Sequence, residues 1–386
     1  MRAVRVRLAV GACLLLCVGW GPSRSNAIVK GPYVQNVTTV ACTIMWELRS
    51  PDVGTVSYGT TADCPFEVGT TTPHTIHELA LGGLTPDTVY YYRVSSGGVR
   101  SRMFTFRTAP TSHRPFRFVV YGDNRSYPAV HARIARLIKR EEPDFVVHTG
   151  DLVNQGTVYD QWETEFFTPA SCYLPYVPIF PTVGHHEQNA ANYFRFFSLP
   201  PPERYYSFRW SNMEFFTYDC IRGGKELTDQ IAWLEASLKA SAAEWKAIWC
   251  HVPIYCAGGH GGSKSLRALV QPILDRVPVD LILAGDSHLF ERTFGIARRS
   301  VPNAWPTIHI TTGGGGAPLY KAGKGIWTAT TRSVHHICSF HVDGQKLTMK
   351  AIDVDGRVFD TLSLDKSTPP DQIVYLEDIE ASEATK

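Results

Sequence analysis

Between Phe116 and Arg292, five short segments each set an Asp or a His directly behind an apolar run of strand length. They read Tyr121-Gly-Asp-Asn-Arg125, His148-Thr-Gly-Asp-Leu152, Gly184-His-His-Glu187, Trp249-Cys-His-Val-Pro253 and Ala284-Gly-Asp-Ser-His-Leu-Phe-Glu-Arg292. A lone Gly-Asp is common in turns and says little. Repeated at the end of one apolar run after another, the arrangement demands a fold that gathers strand ends along one edge of a sheet. Carboxylates and imidazoles collected there are the donors that hard or borderline metal ions require.

The pattern around these segments is strand alternating with helix. Phe116–Tyr121 reads as a strand. Ser126–Glu141 reads as a helix with Val130, Ile134, Leu137 and Ile138 on one face. Pro143 stops it, and Phe145-Val-Val147 is the next buried strand, so the two strands are expected to be parallel neighbours. Ligands then belong beyond their carboxyl ends, where Asp123 and Asp151 fall. Leu227, Ile231, Leu234 and Leu238 mark a helix feeding the strand Ala247–Trp249. Leu266, Leu269, Val270, Ile273 and Leu274 mark another, containing Pro272 and feeding Asp280–Ala284. From Ile308 to Leu364 the pattern returns to strands, and residues 367–386 read as an acidic, poorly ordered tail.

Residues 28–109 read differently. Val40, Cys42, Ile44, Trp46 and Leu48 alternate with mostly polar neighbours, the period of a strand with one buried face. A turn at Leu81–Asp87 leads into the alternating strand Thr88–Val94, and Met103–Arg107 supplies one more. A Trp on an early strand and Leu-x-Pro before a Tyr-rich strand suit an immunoglobulin-like sandwich of fibronectin type III kind, to which no chemistry is assigned. The linker Ala109–Pro115 separates this half from the second domain, residues 115–366.

Residues 1–27 read as a signal peptide. Arg2, Arg5 and Arg7 precede the apolar stretch Leu8–Val18, and Ser25-Asn26-Ala27 offers a small-x-small cleavage site. The stretch is too short for a convincing membrane span, so the protein is expected to be exported, periplasmic or secreted. The leader holds arginines and no acids, and removing it takes the formal charge from +2 to −2. No basic patch remains to suggest a nucleic-acid partner. The cysteines of the mature chain are odd in number and scattered, which is no disulfide framework.

Taken in order, the five segments resemble the calcineurin-like metallophosphoesterases and, with the fibronectin-like leader domain, most of all the purple acid phosphatases. Family segments Gly-Asp-x-Gly, Gly-Asp-x-x-Tyr, Gly-Asn-His-Glu, Val-x-x-His and Gly-His-x-His correspond here to Gly122-Asp123, Gly150-Asp151, Gly184–Glu187, His251 and Gly285–His288. The resemblance extends to Gly31–Asn36 and Thr312–Pro318. It implies a four-layer α/β/β/α catalytic sandwich with two divalent or trivalent ions, iron, zinc or manganese. Asp123, Asp151 and His288 are then expected to hold the first ion. Asp151, His251 and positions 185 and 286 would hold the second. Two cations about 3.5–4 Å apart need a shared anion, and Asp151 is the natural bridge. His186 matches the residue that steadies the substrate phosphate and assists the leaving group, and His260 matches another phosphate contact. Glu187 and Arg292 are expected to orient ligands.

The departures are specific. Asn154 stands where the family has its ligand tyrosine, so the iron-to-tyrosinate bond behind the purple colour should be missing; the Asn carbonyl is a remaining donor. His185 replaces an Asn and Asp286 replaces a His. Together they restore one imidazole and one carboxylate to the second set; the alternative is a decayed site. Arg125 is either a surface residue or an Arg aimed at the substrate phosphate. The implied activity is hydrolysis of a small-molecule phosphate ester, more readily a monoester, by hydroxide activated between two metals. A phosphodiesterase or nucleotidase, and a non-catalytic binding protein with a relic site, are the alternatives.

Overall fold

The computed structural model describes residues 28–302 and 304–385; the signal-peptide reading falls outside the described residues. Two open sheets build the larger domain, and the helix-strand alternation explains both. Phe116–Tyr121 and Phe145–His148 pair in parallel with Phe118 opposite Phe145, as expected of a strand–helix–strand unit. The connecting helix Pro128–Glu141 opens on a proline and ends at Glu142 in the left-handed region, and it buries His131, Ile134, Ala135, Leu137 and Ile138. The six-stranded sheet runs Ile179–Pro181, Phe145–His148, Phe116–Tyr121, His336–Asp343, Lys346–Asp353, Val358–Asp365.

The seven-stranded sheet runs Tyr206–Trp210, Met213–Thr217, Trp245–Trp249, Leu281–Ala284, Ile308–Thr312, Phe290–Thr293, Thr328–Arg332. Its strands 213–217, 245–249, 281–284 and 308–312 are mutually parallel. The helices Gly224–Ala240 and Lys264–Leu274 serve its crossovers. Between the sheets the aromatic rings interlock. Phe118 meets Phe215 edge-on at 5.0 Å and stacks on Phe340 at 4.6 Å. Phe180 stacks on Phe208 at 3.8 Å. Truncating a ring such as Phe118 to Ala would cost about 3–5 kcal/mol. The result is the four-layer α/β/β/α sandwich.

The N-terminal domain is a β-sandwich. One sheet holds Ile28–Gln35, Cys42–Asp52 and His74–Leu81; the other is built on Gly54–Gly59, Val89–Ser96 and their neighbours. Trp46 is fully buried, stacks on His77 at 4.5 Å and donates to Ser96 Oγ at 3.1 Å. The one-faced reading of its strand needs correction. Val40 precedes the strand and is half exposed, and Thr43, Met45 and Glu47 are buried alongside Ile44 and Trp46. The second face is covered by the larger domain: Ser198 Oγ donates to Thr43 Oγ1 at 3.4 Å, and the Tyr159 hydroxyl donates to Glu47. Tyr33 and Tyr92 donate to the backbone of Phe196 and Pro175.

Two further expectations are corrected. Leu269 is largely exposed rather than on the buried helix face. Residues 367–385 do not form a loose tail. Ile373–Tyr375 pairs with Gly295–Ala297, and the helix Leu376–Ala384 buries Leu376 and Ile379 and joins Glu383 to Arg267 at 2.7 Å. An acidic composition hid two apolar anchors. All seven cysteines among the described residues are free.

Candidate metal centre

All five segments reach one edge of the paired sheets, at the carboxyl ends of strands 116–121, 145–148, 179–181, 245–249 and 281–284. Asp123, Asp151 and Asp286 each turn the chain out of its strand with φ of 56°, 58° and 61°. Asp tolerates this left-handed conformation better than most residues. The glycines between them are needed for space. A Cβ at Gly184 would strike the Asp151 carboxylate, and one at Gly285 the Asp123 carboxylate.

The donors fall into two overlapping groups. Ligating atoms of His185, His251 and Asp286 lie within 4.8 Å of one another, and so do those of Asp123, Asp151 and His251. His251 Nδ1 donates to the Thr149 carbonyl at 2.8 Å, which fixes its tautomer and leaves Nε2 as the lone-pair nitrogen. That Nε2 is buried with no hydrogen-bond partner among the described residues, 3.4 Å from Asp151 Oδ1 and 3.8 Å from Asp286 Oδ1. A buried acceptor facing two carboxylate oxygens calls for a cation between them. His185 Nδ1 lies 3.4 Å from Asp286 Oδ1. Asp151, His185, His251 and Asp286 therefore fit a metal ion.

On the other side, His288 Nδ1 donates to the Pro318 carbonyl at 2.7 Å, and its Nε2 lies 3.6 Å from Asp123 Oδ1. Here the donors also face Arg125. Its guanidinium lies 3.4 Å from Asp151 Oδ2, 3.4 Å from His288 Nε2 and 3.5 Å from Asn154 Oδ1. Asn154 accepts from Arg125 through its side chain and from His186 Nδ1 through its carbonyl, at 2.6 Å.

Burial and neighbouring charge act differently on the three carboxylates. Burial, followed by the charges of Asp151 and Asp286, pushes the Asp123 carboxyl well above the usual range. At Asp286 and Asp151 burial acts the same way but is outweighed, by the His185 hydrogen bond at one and by the charges of His251 and His186 at the other, so both are held low. Burial lowers His288 to about 4, which keeps its ring neutral. Glu187 accepts from the backbone N–H of Gly184, Asp151 and Leu152 at 2.6, 2.9 and 2.8 Å. Burial and then Asp151 raise it to about 8. It thereby holds the turn that presents Asp151. Arg292 has no such part: it pairs with Asp360 at 2.6 Å and ties strand 290–293 to the other sheet. Glu291 does the loop work instead, accepting from Ala257 N, Trp327 Nε1 and Thr328 Oγ1.

A cavity of about 740 Å³ opens over the donors, lined by Arg125, His185, His186, His260, Arg222 and Tyr320 among others. Tyr320 was not legible from its own neighbourhood. It stacks on His288 at 4.2 Å, and its hydroxyl contacts His260 Nε2 at 3.1 Å. Only its position two residues past Thr312–Pro318 pointed toward the site. Glu165, equally silent, accepts from the Asn154 backbone at 2.7 Å. His148 is a packed core residue, bonded to Asn124 Oδ1 at 2.7 Å.

Residues 116–290 match the calcineurin-like phosphoesterase family. Residues 32–108 match the purple acid phosphatase N-terminal domain, so the chain joins that domain to a calcineurin-like phosphoesterase domain. It is similar to Purple acid phosphatase 18 of Arabidopsis thaliana, 27% identical over 282 residues, 66% of this chain and 62% of that one. It is also similar to Acid phosphatase type 7 of Homo sapiens, 25% identical over 381 residues, 82% of this chain and 86% of that one. The chain thus spans about three-fifths of the length of the Arabidopsis relative. A purple acid phosphatase structure from yellow lupin seeds superposes with a TM-score of 0.74 at 19% identity, covering 90% of this chain and 75% of that one. At that identity the likeness is one of fold. The fold implies a dinuclear metal centre.

Proposed function

We propose that the protein is a metal-dependent phosphoesterase that hydrolyses small-molecule phosphate monoesters. The observation that carries this reading is the orphaned, buried Nε2 of His251 facing the oxygens of Asp151 and Asp286. One ion would be held by Asp123, Asp151 and His288, with Asn154 beside it. The other would be held by Asp151, His185, His251 and Asp286. Iron, zinc and manganese all suit these donors. When bound, such a pair supplies Lewis acidity and a water made nucleophilic at neutral pH.

The chain's own residues supply the rest. Thr149 and Pro318 fix the tautomers of His251 and His288. His186 donates from Nδ1 to the Asn154 carbonyl, which leaves Nε2 as its second nitrogen; in the imidazolium form the proton on Nε2 would go to the departing oxygen. His260, braced by Tyr320, and Arg125 line the cavity where a phosphate would be held. No Ser, Cys or Thr nucleophile is required. The Arg-containing leader supports export, with no helix among the described residues long and apolar enough to cross a membrane.

The test is metal content of the purified protein together with aryl phosphate hydrolysis by wild type and Asp151→Asn. We expect close to two ions and near-complete loss of hydrolysis in the variant. Less than one ion, with equal hydrolysis by both proteins, would overturn the reading.

A further inference from the structure

The two donor sets are not equally open to a cation, and the difference is Arg125. Its guanidinium occupies the face of the first set, contacting one donor atom each from Asp151, Asn154 and His288. Among the described residues the second set has no such tenant: His251 Nε2 is without a hydrogen-bond partner, and His185 and Asp286 face it from the cavity. Arg carries a permanent charge and cannot itself ligate, so it competes with an ion instead of helping to bind one.

The contacts also say that this tenant is displaceable. The part-buried Arg–carboxylate pairs Arg114–Asp144 and Arg204–Asp219 close at 2.5 Å and Arg292–Asp360 at 2.6 Å. Charge-assisted pairs of that length are the firmly held ones. Arg125 meets Asp151, His288 and Asn154 only at 3.4–3.5 Å, its one shorter contact being Ser126 Oγ at 3.2 Å, so charge more than a tight hydrogen bond holds it over these donors. From the same position the guanidinium lines the cavity in which a phosphate would lie.

We propose that Arg125 is a tethered cation that makes the two metal sites unequal: the second set fills first, and an ion enters the first set only by displacing the guanidinium toward the substrate. This rests on the metallophosphoesterase reading above and adds an order of loading to it. Competition between a resident charge and an ion is a coupling free energy, and couplings of this kind span roughly 5–150-fold in affinity.

The experiment is zinc titration of the chelator-stripped mature chain, with bound ions counted after equilibrium dialysis, for wild type, Arg125→Gln, Asp123→Asn and Asp286→Asn. Wild type should bind one zinc ion tightly and the second about tenfold or more weakly. Arg125→Gln should bring the two affinities together. Asp123→Asn should keep the tight ion and Asp286→Asn should lose it. This pair decides the matter even if Arg125→Gln is unstable. Equal affinities in wild type, an unchanged spacing in Arg125→Gln, or loss of the tight ion in Asp123→Asn would each overturn the proposal. Those outcomes, with phosphate-ester hydrolysis intact, leave the phosphoesterase reading standing; a wild type that takes up no zinc overturns both.

Discussion

His251 Nε2 lies 3.4 Å from Asp151 Oδ1, buried and without a hydrogen-bond partner. An imidazole held in one tautomer against a carboxylate oxygen, with no proton between them, is a pair of donors waiting for a cation. Replacing His251 with Ala should therefore remove the ion of the second set. The loss in kcat/KM toward an aryl phosphate should exceed the roughly 10–100-fold that loss of an outer partner costs. Metal counting alongside the kinetics checks it.

Glu187 tests the outer partner itself. Its two oxygens take three backbone N–H groups around Asp151. Gln in its place turns an NH₂ toward one of those donors, so the turn that presents Asp151 loosens. Glu187→Gln should lower metal affinity and kcat/KM by about 10–100-fold while leaving the far-ultraviolet circular dichroism unchanged.

Asn154 predicts colour. Its side chain meets Arg125 and its carbonyl meets His186, while Tyr320 commits its hydroxyl to His260. The iron-loaded protein should lack the visible absorption of an iron–tyrosinate bond, and Asn154→Tyr should introduce it. A band in the wild type would mean that a tyrosine ligates.

Between the domains, Lys30 is 5% exposed and closes on Glu47 at 2.5 Å, with Glu163 behind it at 3.8 Å. Glu47 also accepts from Tyr159. Glu47→Ala strands a buried ammonium and should destabilise the protein by about 3 kcal/mol, near the lower end for broken buried pairs because Glu163 remains. Lys30→Met combined with Glu47→Leu should recover most of it. Urea midpoints read both.

Acid stability turns on buried histidines away from the metal donors. His309 has no partner for either ring nitrogen, and burial, followed by the charge of Arg267, lowers it to about 3. In the unfolded chain a histidine titrates near about 6.5. Between these values the unfolded state holds the extra proton, so stability falls as pH falls through the window, by up to about 1.4 kcal/mol per pH unit. His309→Leu should flatten the decline of the thermal midpoint between neutral and acidic pH. An unchanged slope would exclude His309 as a contributor.

Legibility followed the range of the interactions. Periodicity in residues 116–149 and 245–284 was enough for the parallel strands, because each strand is buried on both faces and each helix on one. Gly-Asp and His behind those runs sufficed to bring Asp123, Asp151, His251 and His288 to one sheet edge, since a strand's end follows from where its apolar run stops. The same local logic misread Cys42–Leu48, whose second face is covered by a domain more than a hundred residues away, and residues 367–386, whose acids outnumber the Leu376 and Ile379 anchors.

What the sequence by itself determined is the inventory of donors and the edge of the fold to which they go. What only the tertiary structure decided is which atoms face one another. Arg125, Asp151 with Asn154, and His288 come together from three separate segments, and Tyr320 covers His288 from a fourth. Contacts across that many segments depend on the distances between strand ends, which no local pattern records.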